Sequence, residues 1–188
     1  MTFDGDDIAM AARELELAVQ FANSYRRKGG MLSSVTSYIR GHGGPPALKD
    51  MSVAQLNMEL IHAEAIMLRA GINIANDETF MSVVKGGLQM RSSFQAYKGL
   101  HDLLQQTTPA TCPAAYDVNM RTGILLGTGG FNMMLSLLPS KILKVLEFLG
   151  MPSSRSLGLS LLEQGASIED GIRTSLCAYC YLGYYLVL

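Results

Sequence analysis

Residues 121–150 read RTGILLGTGGFNMMLSLLPSKILKVLEFLG, and this stretch decides the fold that the sequence predicts. It contains nineteen consecutive residues without a charged side chain, from Thr122 to Ser140. Glycines are closely spaced in it, at positions 123, 127, 129 and 130. Small residues at such spacing let another helix approach closely, and Pro139 suits the first turn of a following helix. The stretch therefore predicts a buried central helix and a second helix after it.

A membrane span is the alternative for Thr122–Ser140, because about 20 apolar residues cross a bilayer. Gly123 and Gly127 also match the small-xxx-small pattern of paired membrane helices. The residue content favours the buried helix, since glycine, threonine, serine and asparagine make the run only mildly apolar. The last segment, Thr174–Leu188, is uncharged as well but is too short to span a bilayer as it stands.

The bulk composition limits the classes of partner. The chain has 188 residues, enough for one domain with a core, and its 15 basic and 16 acidic side chains give a net charge of −1. Such a balance provides no electrostatic field for nucleic acid or anionic lipid. Charged residues make up 16% of the chain, against about 25% in typical soluble domains. We therefore expect the chain to hide apolar surface within a larger structure.

The cysteines and the N-terminal residues indicate a reducing compartment. The three cysteines, at positions 112, 177 and 180, do not make a disulfide framework. The first ten residues, MTFDGDDIAM, lack the basic and apolar regions of a signal peptide. We expect a cytoplasmic protein, with the nucleus and the surfaces of lipid droplets or other organelles as alternatives. The apolar pattern continues to Leu188, which is typical of a chain that lacks sequence at one or both ends.

Helical periodicity recurs along the chain and no strand-like alternation is sustained. The sequence predicts an all-α fold of about seven stacked antiparallel helices, an α-α superhelix like that of tetratricopeptide repeats. We expect a single domain over residues 1–188, with a flexible break at 41–50. The expected helices cover residues 6–28, 52–75, 77–105, 114 to the central stretch, 139–150, 153 or 154–165, and 167 onward.

The second predicted helix explains why stacking is expected. Its apolar residues form two stripes at helical spacing: Leu56, Leu60, Ala63, Met67, Ala70 and Ile74, and Ile61, Ala65, Leu68, Ile72 and Ala75. The polar residues between them form a narrow seam: Gln55, Glu59, His62, Arg69 and Asn73. A helix with apolar residues on two flanks needs neighbours on two sides, as in a helical array.

Three patterns were weighed for chemistry. The pair Cys177-x-x-Cys180 falls in the middle of a predicted helix, which favours two small core residues over a redox dithiol, and no second pair completes a zinc site. Glu59-x-x-His62 is half of a di-iron motif whose other half is missing. Arg91 and Lys98, near Tyr97, fit a ligand patch less well than a solvated helix face.

The remaining histidines, His42 and His101, are isolated, and the glycine-rich residues 41–44 lack the preceding strand of a phosphate-binding loop. No known catalytic motif is present. The sequence therefore predicts no catalytic, cofactor-binding or metal site, and a protein that is not an enzyme.

Three stretches together resemble the tetratricopeptide repeat protein 39 family, whose relatives include the inclusion body clearance proteins. They are Met1–Asp4 with Tyr25–Lys28, His62–Glu64 with Val84–Lys98, and Gly130–Pro139 with Leu146–Gly150. The resemblance implies an all-helical superhelical protein that works through protein contacts without catalysis. Members are linked to lipid and cholesterol handling, ubiquitin-dependent turnover, lipid-droplet-associated clearance of aggregates and cilium assembly.

Two departures from the family pattern bear on the expected function. Family chains are several times longer, so this chain is expected to pack against further parts of itself. The 34-residue signature of ordinary tetratricopeptide repeats is also missing. We expect a scaffold or adaptor that binds other proteins. The alternative is a protein associated with membranes or lipid droplets through residues 122–140 or the C-terminal segment.

Overall fold

The computed structural model describes residues 5–40, 48–76, 80–138, 140–148 and 150–187. Seven α-helices and two short 3-10 helices occupy these ranges, and no strand occurs in them. The α-helices are α1 (Gly5–Arg40), α2 (Val53–Asn76), α3 (Phe80–Gln106), α4 (Val118–Ser136), α5 (Ser140–Phe148), α6 (Arg155–Ala166) and α7 (Thr174–Val187). The all-α class predicted from the periodicity is confirmed.

The chain divides into two compact units, Met1–Ser93 and Phe94–Leu188. The boundary falls within α3. The single domain expected over residues 1–188 stays a prediction. So does the flexible break at 41–50, because residues 41–47 lie outside the described ranges and Leu48–Asp50 form a 3-10 helix.

Unit 1 is built on the packing of α1 against α2. The predicted first stripe of α2 supplies much of its core, with Leu56, Leu60, Ala63 and Ala70 fully buried. The predicted second stripe is only partly right, because Leu68 is 53% exposed. The predicted polar seam is partly wrong as well, since His62 is buried. In the same unit, Ser93 Oγ donates a buried hydrogen bond of 2.7 Å to the carbonyl oxygen of Ala63.

The start of α2 and the end of α1 show how well local sequence signals predict helix boundaries. Ser52, where the second helix is predicted to begin, caps α2: its Oγ accepts from Gln55 N at 3.3 Å, and its own N–H donates to Gln55 Oε1 at 2.9 Å. This reciprocal pair is a capping box. The predicted end of the first helix at Gly29-Gly30 is wrong, since α1 continues to Arg40. Glycine costs a helix about 1 kcal/mol per residue but does not forbid helical backbone as proline does.

Unit 2 is organised around α4, most of which is buried by the surrounding elements. Twelve of its nineteen residues are buried: Met120, Thr122, Gly123, Ile124, Leu125, Gly127, Thr128, Gly129, Phe131, Asn132, Met133 and Leu135. Asp117 caps its N-terminus, with Oδ1 accepting from Asn119 N at 3.0 Å and Met120 N at 3.1 Å. The helix therefore begins later than the predicted Ala114, because Pro113–Tyr116 form a 3-10 helix. The prediction of a buried central helix is confirmed.

Glycines of unit 2 lie where helices touch. A Cβ at Gly127 would stand 1.8 Å from Tyr97 Cε1, so the tyrosine ring of α3 lies directly on α4. A Cβ at Gly158 would stand 3.0 Å from the carbonyl oxygen of Gly129, so α6 meets α4 backbone to backbone. A Cβ at Gly165 would stand 2.5 Å from Cys177 Sγ, which brings α7 against α6. The close approach that small residues permit is thus used between α3 and α4, between α4 and α6, and between α6 and α7.

The later helix boundaries agree with the predictions except at α7. Gly150 ends α5 with φ +81°; its N–H donates to Glu147 O, and Met151 N donates to Leu146 O, which is a Schellman motif. Ser154 caps α6, with Oγ accepting from Leu157 N at 3.4 Å. Pro139, predicted to open the fifth helix, and Asp77, the first residue of the predicted third helix, lie outside the described residues.

The predicted start of the seventh helix at Ser167 is wrong, since α7 begins at Thr174. Asp170 has φ +61°, which is incompatible with a helix running through it. Tertiary hydrogen bonds hold the intervening loop: Ile172 N donates to Asn119 Oδ1 at 3.0 Å, and Thr174 Oγ1 donates to Ile168 O at 2.7 Å. These bonds outweigh the local capping pattern.

Candidate interaction surface and aromatic cleft

The CxxC pair of α7 occupies two different environments. Cys177 is fully buried, with Sγ 3.9 Å from the carbonyl oxygen of Thr122, whereas Cys180 is exposed. Burial, with a smaller effect from Cys180, raises the pKa of the Cys177 thiol to about 11. A thiol in that state is protonated near neutral pH and is a poor nucleophile. Cys177 therefore serves the core as predicted, while Cys180 lies on the surface, contrary to the prediction of two core residues.

The other residues singled out for chemistry are described within the unit to which each belongs. No group of three or more histidine, cysteine, aspartate or glutamate side chains suited to a metal occurs among the described residues. His62 is buried in unit 1, and His42 lies outside the described ranges. Lys98 and His101 line a cleft in unit 2. Arg91 belongs to unit 1 and Lys98 to unit 2, and the solvated helix face favoured for them stays a prediction.

In unit 2, α7 carries an apolar face. Leu176, Tyr179, Leu182 and Leu186 follow one another at steps of three and four, so they lie on one side of the helix. They are all exposed, Tyr179 to 74% and Leu186 to 83%. We call these four residues the α7 face. Isolated exposed apolar residues are common on proteins, but a row of them along one helix is typical of a binding surface.

Aromatic and cationic side chains adjoin the α7 face. The rings of Tyr181 and Tyr184 each lie 5.2 Å from that of Tyr185, centroid to centroid, in edge arrangements. The Arg155 guanidinium lies 5.8 Å from the centroid of the Tyr184 ring, and its Nη2 donates to Ser136 O at 3.3 Å. Tyrosine and arginine are enriched where protein interfaces gain most of their binding energy. The composition of this region therefore suits contact with another protein.

A cleft of about 230 Å³ lies elsewhere in unit 2. The side chains around it come from α3, α4, α6 and the residues before α6: Phe94, Tyr97, Lys98, His101, Asp102, Thr128, Phe131, Asn132, Pro152 and Leu157. The rings of Phe94 and Phe131 pack with centroids 5.2 Å apart, and the Tyr97 ring rests on Gly127. The walls are therefore mostly aromatic and apolar, and their positions are fixed by close packing.

Two polar residues of α4, Thr128 and Asn132, line the same cleft, and their side chains differ in whether they have hydrogen-bond partners. Asn132 Nδ2 donates to Thr128 O at 2.9 Å, and Asn132 Oδ1 accepts from Ser154 N at 2.9 Å. The Asn132 side chain thereby ties α4 to the start of α6. Thr128 is 8% exposed, and its Oγ1 has no hydrogen-bond partner among the described residues. A buried hydroxyl without a partner is costly and therefore needs an explanation.

The sequence predicts neither the cleft nor a protein-binding face on α7. In the sequence, Thr128 stands out only as part of the uncharged run, and Phe131 and Asn132 belong to that run and to the stretch Gly130–Pro139 that resembles the family. The signal was available, because a threonine and an asparagine inside a helix buried on all sides must each find a hydrogen-bond partner. For the C-terminal residues, periodicity predicts a helix but does not tell which of its sides faces solvent.

Residues 122–136 of the alternative membrane span lie in α4. Among the described residues, no helix has both the length and the hydropathy that crossing a bilayer requires.

Comparisons with known proteins agree over the whole chain. The family model described as Iml2/Tetratricopeptide repeat protein 39 matches residues 1–188. Tetratricopeptide repeat protein ttc-39B of Caenorhabditis elegans is 25% identical to the chain over 189 residues. That alignment covers 100% of this chain and 32% of the relative, so the chain spans about a third of the relative's length. No solved structure matches the chain.

Proposed function

The chain belongs to the Iml2/tetratricopeptide repeat protein 39 family, and on that premise we propose that it is a non-catalytic helical scaffold that binds other proteins. The observation that carries the proposal is the α7 face, a row of exposed apolar side chains beside a tyrosine cluster. Helical-repeat proteins use surfaces of stacked helices to bind partners. When a partner covers such a face, the burial of apolar surface stabilises the complex by about 25 cal/mol per Å² removed from water.

The absence of catalysis is part of the same proposal. Among the described residues no cluster of metal ligands forms, and the buried thiol has a raised pKa. The family points in the same direction. We place the partners of the scaffold among proteins of lipid handling, regulated turnover or aggregate clearance, the processes to which the resemblance links the family.

Paired surface variants test the proposal. In one variant, Tyr179→Lys is combined with Leu186→Lys on the α7 face. In the matched control, Phe148→Lys makes the same kind of change on α5, at a side chain that is 91% exposed. Proteins that co-purify with each tagged variant from cells are identified and quantified by mass spectrometry. Loss of one hot-spot contact costs about 2 kcal/mol or more, so we expect partners to fall at least about tenfold with the α7 variant alone.

Two results would contradict the proposal. Undiminished capture by the α7 variant would show that this face does not bind the partners. A fall in the free energy of unfolding, with the control unchanged, would show that the face is covered within the protein itself, because exposed side chains contribute little to stability.

A second candidate is association with a membrane or lipid-droplet surface through α7. The observation that favours it is the absence of any charged residue from Thr174 to Val187, together with the exposed leucines. Helices that lie in the membrane interface are usually rich in lysine and arginine on their polar side, which α7 is not. Flotation with neutral phosphatidylcholine vesicles separates the two candidates: floating that the α7 variant abolishes supports the surface-associated protein.

A further inference from the structure

We propose that the cleft of unit 2 binds a small uncharged aromatic alcohol, a phenol in chemical terms, through Thr128 and the surrounding aromatic rings. The proposal concerns a different surface from the α7 face and does not depend on it. The proposal rests on four observations: the volume of the cleft, the aromatic and apolar residues that line it, the balance of charge at its rim, and the Thr128 hydroxyl that lacks a hydrogen-bond partner.

The size of the cleft limits the ligand. Pockets for drug-sized ligands and cofactors measure about 300–1,000 Å³, whereas this cleft measures about 230 Å³. It suits a single-ring compound or a single aromatic side chain. A nucleotide, a haem or a long acyl chain would not fit within it.

The walls favour a flat apolar ring. Phe94 and Phe131 are in tilted contact, and Tyr97 is held on Gly127. Aromatic rings prefer to pack at centroid distances of about 4.5–7 Å, in offset or edge arrangements. Pro152 and Leu157 complete the lining from the side of α6. A ligand ring would exchange water for contacts with these side chains.

The rim favours a ligand without charge. Lys98 and Asp102 line the cleft on the same helix, one turn apart, so their opposite charges offset one another. His101, the third ionisable group at the rim, lies 3.5 Å from Gln105, Nε2 to Nε2. An anion would be attracted by Lys98 and repelled by Asp102, and a cation the reverse. Neither sign of charge gains a net advantage.

Thr128 selects for a hydroxyl. Its Oγ1 is buried and unpartnered, whereas the neighbouring Asn132 amide already uses both of its ends. Threonine in a helix has two accessible χ1 rotamers, and rotation between them moves Oγ1 from one staggered position about Cβ to another. The hydroxyl can therefore turn toward a ligand in the cleft and form the hydrogen bond that it lacks.

The test uses p-cresol, the side-chain analogue of tyrosine, and toluene, the analogue of phenylalanine. Each is titrated into the isotopically labelled full chain and followed by NMR. We expect both to shift resonances of Leu157 and the cleft aromatics, with p-cresol binding about three- to tenfold more tightly, the gain of one net hydrogen bond. In Thr128→Val, p-cresol should lose this advantage while the affinity for toluene stays unchanged.

A third ligand separates the sources of the phenol. If the pentapeptide Gly-Gly-Tyr-Gly-Gly binds as p-cresol does, the natural ligand is a tyrosine of a protein; if p-cresol alone binds, it is a free small molecule. The proposal is overturned if neither p-cresol nor toluene binds, or if Thr128→Val keeps the preference for p-cresol. Thermal unfolding of the variant checks its fold, and failure of this test would leave the α7 proposal standing.

Discussion

Gly127 shows most clearly how one residue of α4 determines the packing around it. The Tyr97 ring occupies the place of a Cβ atom at this glycine, and Tyr97 is itself only 1% exposed, so moving the ring would disturb the packing around it. Gly130, one turn further along the same helix, has nothing within 4 Å of such a Cβ. The two glycines therefore offer a matched comparison.

We predict opposite effects of the same substitution at these two positions. Gly127→Ala should lower the free energy of unfolding by about 2 kcal/mol, because overpacking a core costs about 1–3 kcal/mol. Gly130→Ala should raise it by about 0.5–1 kcal/mol, since alanine is the better helix former. Denaturant titration of both variants measures the difference. Equal effects would mean that Tyr97 does not lie on Gly127.

At the residue scale, the sequence could predict the glycine contacts but not the particular side chains that make them. The spacing of small residues indicates a helix approached closely. It does not tell that Tyr97 covers Gly127 or that Gly158 meets Gly129. The same limit explains why Thr128 was missed, because the lack of a hydrogen-bond partner is a property of its surroundings and not of the local sequence.

At the scale of helices, the contact of α4 with α6 depends on backbone approach. A Cβ at Gly158 would stand 3.0 Å from both the Gly129 carbonyl oxygen and the Met133 backbone nitrogen. Backbone atoms cannot rotate away as a flexible side chain can. Any side chain at this position therefore has to push the two helices apart.

Gly158→Ala is accordingly predicted to lower the free energy of unfolding by about 1–3 kcal/mol. The control is Gly183→Ala in α7, where a Cβ would have nothing within 4 Å. That change should raise the free energy of unfolding by about 0.5–1 kcal/mol. Thermal or chemical unfolding of the pair provides the measurement. A Gly158→Ala variant as stable as the control would rule out the backbone contact.

Helix boundaries were predictable where the ending signal is local. Ser52, Gly150 and Ser154 act through bonds to residues within five positions in the chain, and all three were foreseen. The start of α7 was not foreseen, because the Asn119 side chain on α4 holds the preceding loop through Ile172. That partner is 53 positions away, and local propensity carries no information about it.

At the scale of the whole molecule, the low content of charged residues has two distinct consequences. In unit 2, much of the apolar surface is buried around α4. Other apolar side chains are exposed to solvent, among them the row that forms the α7 face. Composition and periodicity could predict both the all-α class and the excess of apolar surface. They could not tell which apolar residues would be buried and which would remain for a partner.

Function was accessible from the sequence only through the family resemblance. The chain spans 32% of its C. elegans relative, so the relative holds about two thirds of its length outside the aligned region. The α7 face and the cleft each give the proposed scaffold a defined surface that mutation can address.

Amide hydrogen exchange of the full chain tests most directly the central claim, that α4 is enclosed by the helices around it. Amides of buried core helices exchange only when the whole unit unfolds, whereas those of exposed helices open locally. We predict that the amides from Ile124 to Asn132 are the slowest in unit 2 and give an opening free energy equal to that of its global unfolding. We also predict that the amides of the α7 face exchange faster. Exchange in α4 as fast as that in α7 would contradict the claim.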